Sequence, residues 1–321
     1  MDEVIRVKNL EKSYGTVPAV GGVDFTIGAG EIVGLLGPNG AGKTTILKIL
    51  TGYHYPGSGE ASVLGESVVE NPRYIRSSIG YLPENTPLYT ELTVREYLEF
   101  IAAERNIPAK QVKGAIEKAA SECGIGKIMD KTISQLSKGY RQRTGLAGAV
   151  IHSPQVLILD EPTAGLDPNQ IREIRRLIRR IGSEKTVILS THILQEVEAV
   201  CSRVIILNRG IVVSEGTTES VRRQAEGRRI YTLAFDSTQK LQQIKEELLQ
   251  HEGVHSVLSV ERGEDVRAEV ELRENCNGGT LFSWAVTHGT VLKEMHEKRS
   301  SLEDVFESLT MDREDENGVD L

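Results

Sequence analysis

Apolar and polar residues alternate over Val4–Asn9 and Val23–Ile27, the period-two pattern of strands with one face buried. Gly28-Ala29-Gly30 reads as a turn. Glu31–Leu36 is a short apolar run of the kind buried on both faces. It leads directly into the glycine-rich stretch Gly37–Gly42, after which Lys43–Thr51 reads as a helix with Ile46, Leu47, Ile49 and Leu50 apolar. From about 85 to 153 the period becomes helical. Val94, Tyr97, Leu98 and Ile101 share one face, and Thr93 with Glu96 forms a capping box ahead of them. Val112–Gly124, preceded by Pro108, and Ser137–Ile151 are two further helical stretches. Strands return at Val156–Leu159, Thr186–Ser190 and Val204–Asn208, with Gly210 at a turn before the return strand Ile211–Ser214. An amphipathic helix between the first two carries Ile171, Ile174, Leu177, Ile178 and Ile181 on one face. Its other face carries Arg172, Arg175, Arg176, Arg179 and Arg180 and reads as solvated surface. Apolar strands alternating with helices predict an α/β domain with a mostly parallel sheet.

The polar stretch 216–227 marks a boundary, and a different order follows it. Arg228–Phe235, Val254–Val260 and Thr290–Met295 read as strands, and Val266, Ala268, Val270 and Leu272 alternate with charged residues in another. Leu241, Ile244 and Leu248 mark one helix, and Leu281, Phe282, Ala285 and Val286 a second. This is β-α-β-β-α-β, the ferredoxin-like pattern of a small α+β domain. A last helix is capped by Ser300 with Glu303 and puts Leu302, Val305, Phe306 and Leu309 on one face. The expected division is a domain over 1–220 with the helical subdomain 85–153 inserted, an accessory domain over 221–310, and an acidic disordered tail at 311–321.

The length of 321 residues agrees with about two domains. The formal net charge is −8, and half of it falls in Met311–Leu321, so the body is close to balanced. A balanced body with no basic excess gives no reason to expect a nucleic-acid partner. The three cysteines, Cys123, Cys201 and Cys276, lack C-x-x-C spacing and fit a reducing compartment. Met1-Asp2-Glu3 opens no signal peptide, and no run approaches the roughly 18 apolar residues of a membrane span. The expectation is a cytoplasmic chain that does not itself cross a membrane.

Candidate chemistry begins at Gly37-Pro38-Asn39-Gly40-Ala41-Gly42-Lys43-Thr44, which matches G-x-x-x-x-G-K-[ST] between an apolar strand and a helix. Glycine lets the backbone curl so that N–H groups from Asn39 to Thr45 point at phosphate oxygens, and the helix N-terminus adds positive potential. Lys43 brings a full charge to the β/γ-phosphates, and the Thr44 hydroxyl faces Mg²⁺. The strand Val156–Leu159 delivers Asp160 and Glu161 at its C-terminal end, where α/β sheets open their ligand crevice. Asp160 suits Mg²⁺, and Glu161 suits polarisation of an attacking water, so the two motifs together read as nucleotide hydrolysis.

Leu136-Ser137-Lys138-Gly139-Tyr140-Arg141-Gln142-Arg143 resembles the signature of the ATP-binding cassette (ABC) ATPases. Leu136, Ser137, Gly139, Gln142 and Arg143 match it, while Lys138 and Tyr140 stand where the family has Gly and Gln, a variant similar to the export-type ABC-2 branch. The resemblance covers roughly 4–216 and implies a P-loop ABC ATPase core, a mostly parallel RecA-like sheet with antiparallel strands. It implies that Ser137 and Gly139 touch the γ-phosphate of ATP bound by the other subunit of a homodimer. Tyr14 occupies the position that stacks on adenine, Asp167 in Ala164-Gly165-Leu166-Asp167 the dimer-interface loop, and His192 the switch histidine. Glu84 stands where the family carries a glutamine that reaches Mg²⁺; a carboxylate still supplies a hard oxygen but cannot donate a hydrogen bond.

The site expected from this resemblance has Glu161 and His192 as catalytic groups and Thr44, Glu84 and Asp160 around Mg²⁺. ATP lies on Tyr14, Asn39, Gly40, Ala41, Gly42, Lys43, Thr44 and Thr45. The implied function is Mg²⁺-dependent ATP hydrolysis coupled to an integral-membrane permease, with the chain on the inner face of the cell membrane. Leu88, Tyr89 and Leu92 are candidates for touching that permease. The alternative is a soluble ABC ATPase acting on ribosomes or DNA. Ribosome-acting members carry two cassettes and DNA-repair members long coiled coils or zinc-binding cysteines, whereas this chain has one cassette and neither insertion. Residues 228–310 are also compatible with a regulatory or dimerisation module. Ser301–Thr310 resembles the C-terminal segment of many ABC-2 ATPase subunits.

Overall fold

Two sheets and one buried helix organise the first part of the chain. A computed structural model describes residues 3–221, 229–236, 241–262, 265–273 and 276–298. The chain divides into two compact units, Met1–Thr218 and Glu219–Leu321. In the first, β1 (Glu3–Tyr14), β2 (Val17–Gly28), β4 (Ser58–Val63) and β5 (Glu66–Ser67) form an antiparallel sheet in the order β2-β1-β4-β5. β1 and β2 run longer than their alternation predicts, because register shifts at Val7–Leu10 and elsewhere break the strict period of two.

The second sheet contains β3 (Ile32–Leu36), β6 (Ile79–Leu82), β7 (Val156–Asp160), β8 (Thr186–Thr191), β9 (Arg203–Asn208) and β10 (Ile211–Thr217), in the order β10-β9-β3-β8-β7-β6. Pairings from β9 to β6 are all parallel, and β10 adds an antiparallel edge. α1 (Lys43–Leu50) buries Ile46, Leu47, Ile49 and Leu50 in an apolar cluster shared with residues of both sheets. Burying four such side chains contributes roughly 1.5–3 kcal/mol each, which anchors the helix following the glycine loop.

α2 (Pro72–Ser78) precedes β6, and the inserted block holds α3 (Val94–Glu104), α4 (Ala109–Cys123) and α5 (Lys138–Val150). The Thr93–Glu96 capping box is present in both directions, with Glu96 N donating to Thr93 Oγ1 at 3.2 Å and Thr93 N to Glu96 Oε2 at 2.8 Å.

α6 (Pro168–Gly182) corrects one expectation. Its arginine face is not merely solvated. Arg180 donates to the carbonyl of Glu122 near the end of α4, and Arg179 to that of Ala199 near the end of α7 (Leu194–Val200). Guanidinium groups thus satisfy carbonyls that helix C-termini leave without partners. Arg143 of α5 pairs with Glu173 of α6, so α6 is bonded to the inserted block at two places.

The second unit contains β11 (Arg229–Phe235), α8 (Leu241–Leu249), β12 (Val254–Arg262), β13 (Val266–Leu272), α9 (Gly278–Thr287) and β14 (Leu292–Lys298). The order β12-β13-β11-β14, antiparallel throughout, is the ferredoxin-like arrangement. Its core centres on Trp284, whose ring meets Phe235 edge-on at 6.1 Å between centroids. The last strand begins two residues later than its apolar run indicates, since Thr290 closes the turn after α9 by donating to Ala285 O. The helix expected after Ser300 and the acidic tail at 311–321 lie outside the described residues.

His152 gives a stability prediction. Burial, with the charge of Arg105 adding to it, pushes its pKa down to about 4, and a hydrogen bond to Ile79 O only partly offsets them. Because the folded state binds this proton more weakly than the unfolded chain, the neutral ring's contribution is complete above about 6.5 and is lost as pH falls through 4. The contribution is roughly 2 kcal/mol after allowance for partial exposure. Melting temperature should fall from pH 6.5 to 4, and His152→Gln should flatten that part of the profile.

Candidate active site

The parallel register sets the site. Leu36 at the end of β3 lies beside Thr191 at the end of β8, and Asp160 at the end of β7 beside Ser190. The glycine loop, the acid pair and His192 therefore leave the sheet at one edge, the C-terminal edge where α/β sheets bind ligands. They surround an open cleft of about 360 Å³.

Gly42, at φ 99°, holds the backbone in the left-handed region, where a Cβ would collide with the Ala19 carbonyl. α1 starts at Gly42 with no side-chain cap, so its first N–H groups are available to an anion in the cleft. Lys43 is almost fully buried, and its Nζ donates to Gly37 O at 2.7 Å and Pro38 O at 3.1 Å. It also lies 3.7 Å from Glu161 Oε1. Burial lowers the Lys43 pKa; Glu161, Asp160 and Glu84 act in the opposite direction.

Asp160 is buried and accepts from Ser190 Oγ at 2.6 Å and Thr44 Oγ1 at 3.2 Å. These fix one carboxylate oxygen toward the first turn of α1. Glu161 sits at φ 45°, a conformation that costs a non-glycine residue about 1–3 kcal/mol. Its N–H reaches both Ser190 O and Ser190 Oγ, which holds the strained turn. Its carboxylate meets His192 Nδ1 at 3.0 and 3.1 Å. An ionised carboxylate only accepts, so Nδ1 carries a hydrogen toward Glu161. A buried base, a cation and a half-exposed imidazole thus meet over an anion cradle.

Tyr14, Asn39, Gly40, Ala41, Gly42, Lys43, Thr44, Thr45, Glu84, Glu161 and His192 all line the cleft, with Asp160 directly behind Thr44. Ser137 and Gly139 do not line it. Ser137 caps α5 by accepting from Tyr140 N, and Gly139 packs so closely on Gln170 of α6 that a Cβ there would stand 2.8 Å from that side chain. Ser190, Thr163, Thr191 and Glu196 also hold the site together and are not marked by any motif. Ser190 and Thr191 are signalled only by their polarity at the end of β8, while Thr163 in the loop after β7 and Glu196 on α7 carry no such signal.

Thr44, Asp160 and Glu84 offer hard oxygens that fit Mg²⁺, and Asp160 already orients one of them at Thr44. Among the described residues no group of three His, Cys, Asp or Glu side chains could hold a metal by itself.

Residues 20–164 match the ABC transporter family. The Nod factor export ATP-binding protein I of Rhizobium meliloti (strain 1021) is 41% identical over 213 residues, covering 66% of this chain and 64% of that protein. The chain thus spans just under two thirds of the length of that relative. The bacitracin transport ATP-binding protein BcrA of Bacillus licheniformis is 32% identical over 311 residues, covering 96% of this chain and 98% of that one. Among solved structures, the dimeric post-hydrolysis state of the ATP-binding cassette MJ0796 with ADP and Pi superimposes with a TM-score of 0.61. It is 25% identical and covers 66% of this chain and 98% of that one. The chain belongs to the ABC transporter family, among its ATP-binding proteins. The P-loop cassette fold expected from the motifs is the fold of these relatives.

Proposed function

We propose that this protein is the ATP-hydrolysing subunit of an export-type ABC transporter of the ABC-2 kind, driving a separate membrane permease. The observation that carries the reading is the contact of Glu161 with both His192 and Lys43 at the mouth of the glycine loop. The loop N–H groups and Lys43 bind the β- and γ-phosphates, and Tyr14, exposed at the rim, stacks on adenine. Glu161 orients and polarises the attacking water for in-line displacement, and His192 stabilises charge developing on the γ-phosphoryl group. Thr44, Asp160 and Glu84 would hold Mg²⁺, which would supply neutralisation of phosphate charge. The test is Mg²⁺-dependent phosphate release by the purified chain; no release at millimolar ATP would overturn the reading.

Ser137 and the Gly139 N–H lie at a helix start away from the chain's own cleft. That placement supports a head-to-tail homodimer in which each signature helix completes the other chain's ATP site. No helix among the described residues is long and apolar enough to cross a membrane. In the proposed reading a separate permease subunit carries the substrate, and this chain works at its cytoplasmic face. A groove of about 550 Å³ beside the inserted block supports the docking of that partner. Tyr89 lines it, edge-on to Phe100 at 5.1 Å, while Leu88 and Leu92 are half-buried and better placed to hold the loop. The ferredoxin-like unit is read as a regulatory or dimerisation module, which truncation at Gly227 tests through ATPase rate and dimerisation.

Glu84 keeps the metal-binding role through a charged oxygen. Glu84→Gln is expected to raise the Mg²⁺ concentration for half-maximal turnover about threefold to tenfold, because a neutral carbonyl binds the ion less strongly. A magnesium titration of turnover in the two proteins checks this.

A further inference from the structure

One buried acid does not line the cleft just described and takes no part in its chemistry. Glu196 on α7 is 2% exposed, yet both of its carboxylate oxygens are occupied. Thr163 Oγ1 donates to Oε1, and Thr191 Oγ1 donates to Oε2 at 2.8 Å. Arg175 of α6 lies 4.0 Å from Oε1. All three partners come from functional segments. Thr163 follows Glu161 by two residues and opens the loop that ends at Asp167. Thr191 immediately precedes His192, and its hydroxyl also accepts from Ile193 N at 3.0 Å, clasping the turn that carries the imidazole. Arg175 stands on the helix that Asp167 caps, through Oδ1 bonds from Asn169 N and Gln170 N at 2.9 Å. The loop Thr163–Asp167 is therefore bonded to Glu196 at its Thr163 end, while the helix that begins at its other end brings Arg175 to 4.0 Å from the same carboxylate.

Burying a carboxylate is costly, and an apolar residue would fasten α7 to the sheet at less expense. Hydrogen bonds to an ionised acceptor are short, directional and about twice as strong as neutral ones, so they fix the two hydroxyls relative to each other more specifically than apolar contact would. We propose that Glu196 is a positioning residue linking the loop Thr163–Asp167 to His192, so that the position of the loop sets the alignment of the imidazole on Glu161. The link rests on the hydrolytic reading of Glu161 and His192. It makes hydrolysis sensitive to whatever seats against that loop, and a second copy of this chain is the partner which that reading supplies.

The test compares kcat, KM and equilibrium ATP affinity in wild type, Thr163→Val, Thr191→Val, the double variant and Glu196→Gln. Valine keeps the shape of threonine and removes one hydroxyl. Thr163→Val is expected to lower kcat about tenfold with ATP affinity held within about twofold, since one charge-assisted hydrogen bond is lost away from the phosphates. The double variant is expected to be no slower than the worse single variant, because both cut the same link. Multiplying effects, or a change confined to KM, would overturn the link while leaving the hydrolytic reading in place. Normal turnover in Glu161→Gln in the same assay would remove that reading and the link with it. Should Glu196→Gln fail to fold, the threonine pair still decides.

Discussion

Glu161→Gln is expected to lower ATP turnover by about 10²–10⁴-fold, the usual range for removing a positioned general base. The amide keeps the shape of the carboxylate but cannot take a proton, and it no longer attracts the Lys43 ammonium at 3.7 Å. Binding should survive. Lys43 keeps its bonds to Gly37 O and Pro38 O, and the N–H groups of the glycine loop do not involve Glu161. With hydrolysis blocked and binding intact, ATP should accumulate at the interface, and an ATP-dependent dimer should appear in size-exclusion chromatography. Phosphate release, equilibrium nucleotide binding and the elution position together check the assignment. Turnover near the wild-type rate would remove Glu161 from the catalytic role.

Lys43→Ala should act on binding instead. Its ammonium is the cation buried against the glycine loop, and losing charge-assisted contacts to two phosphates should weaken ATP binding about 100-fold or more. The variant also leaves the buried Glu161 carboxylate with His192 as its remaining partner, so the melting temperature should fall without ligand. The lowered Lys43 pKa adds a pH dependence with a definite sign. Nucleotide affinity should weaken at a lower alkaline pH than an ordinary lysine would produce, because the charged form is the one that binds phosphate. Titration of fluorescent ATP analogue binding against pH, in wild type and variant, checks both statements.

Much of the site was legible because its parts are local. A glycine loop between strand and helix, and two acids at a strand end, depend on residues adjacent in the chain, so Gly42, Lys43, Thr44, Asp160 and Glu161 could be named from spacing alone. The Thr93–Glu96 capping box is legible for the same reason, since both partners lie within one helical turn. The strands β4 and β5 were not legible. Ser58–Val63 carries Ser, Gly and Glu with few apolar positions, and its pairing partner β1 lies about fifty residues earlier. The arginine face of α6 was misread because the carbonyls it satisfies belong to α4 and α7, and periodicity within one helix carries no information about its neighbours.

The sequence by itself determined the order of elements outside the stretch 52–84, the phosphate cradle, the acid pair and the ferredoxin-like plan of the second unit. These follow from backbone conformation and hydrophobic period, which act over a few residues. Only the tertiary structure decided that Leu36, Asp160 and Thr191 end at one sheet edge, because that depends on strand order and register. It alone brought Glu196 between Thr163 and Thr191, thirty-three and five residues away. Such contacts are made by packing two helices on a common sheet, and no local pattern encodes which buried acid will meet which hydroxyl.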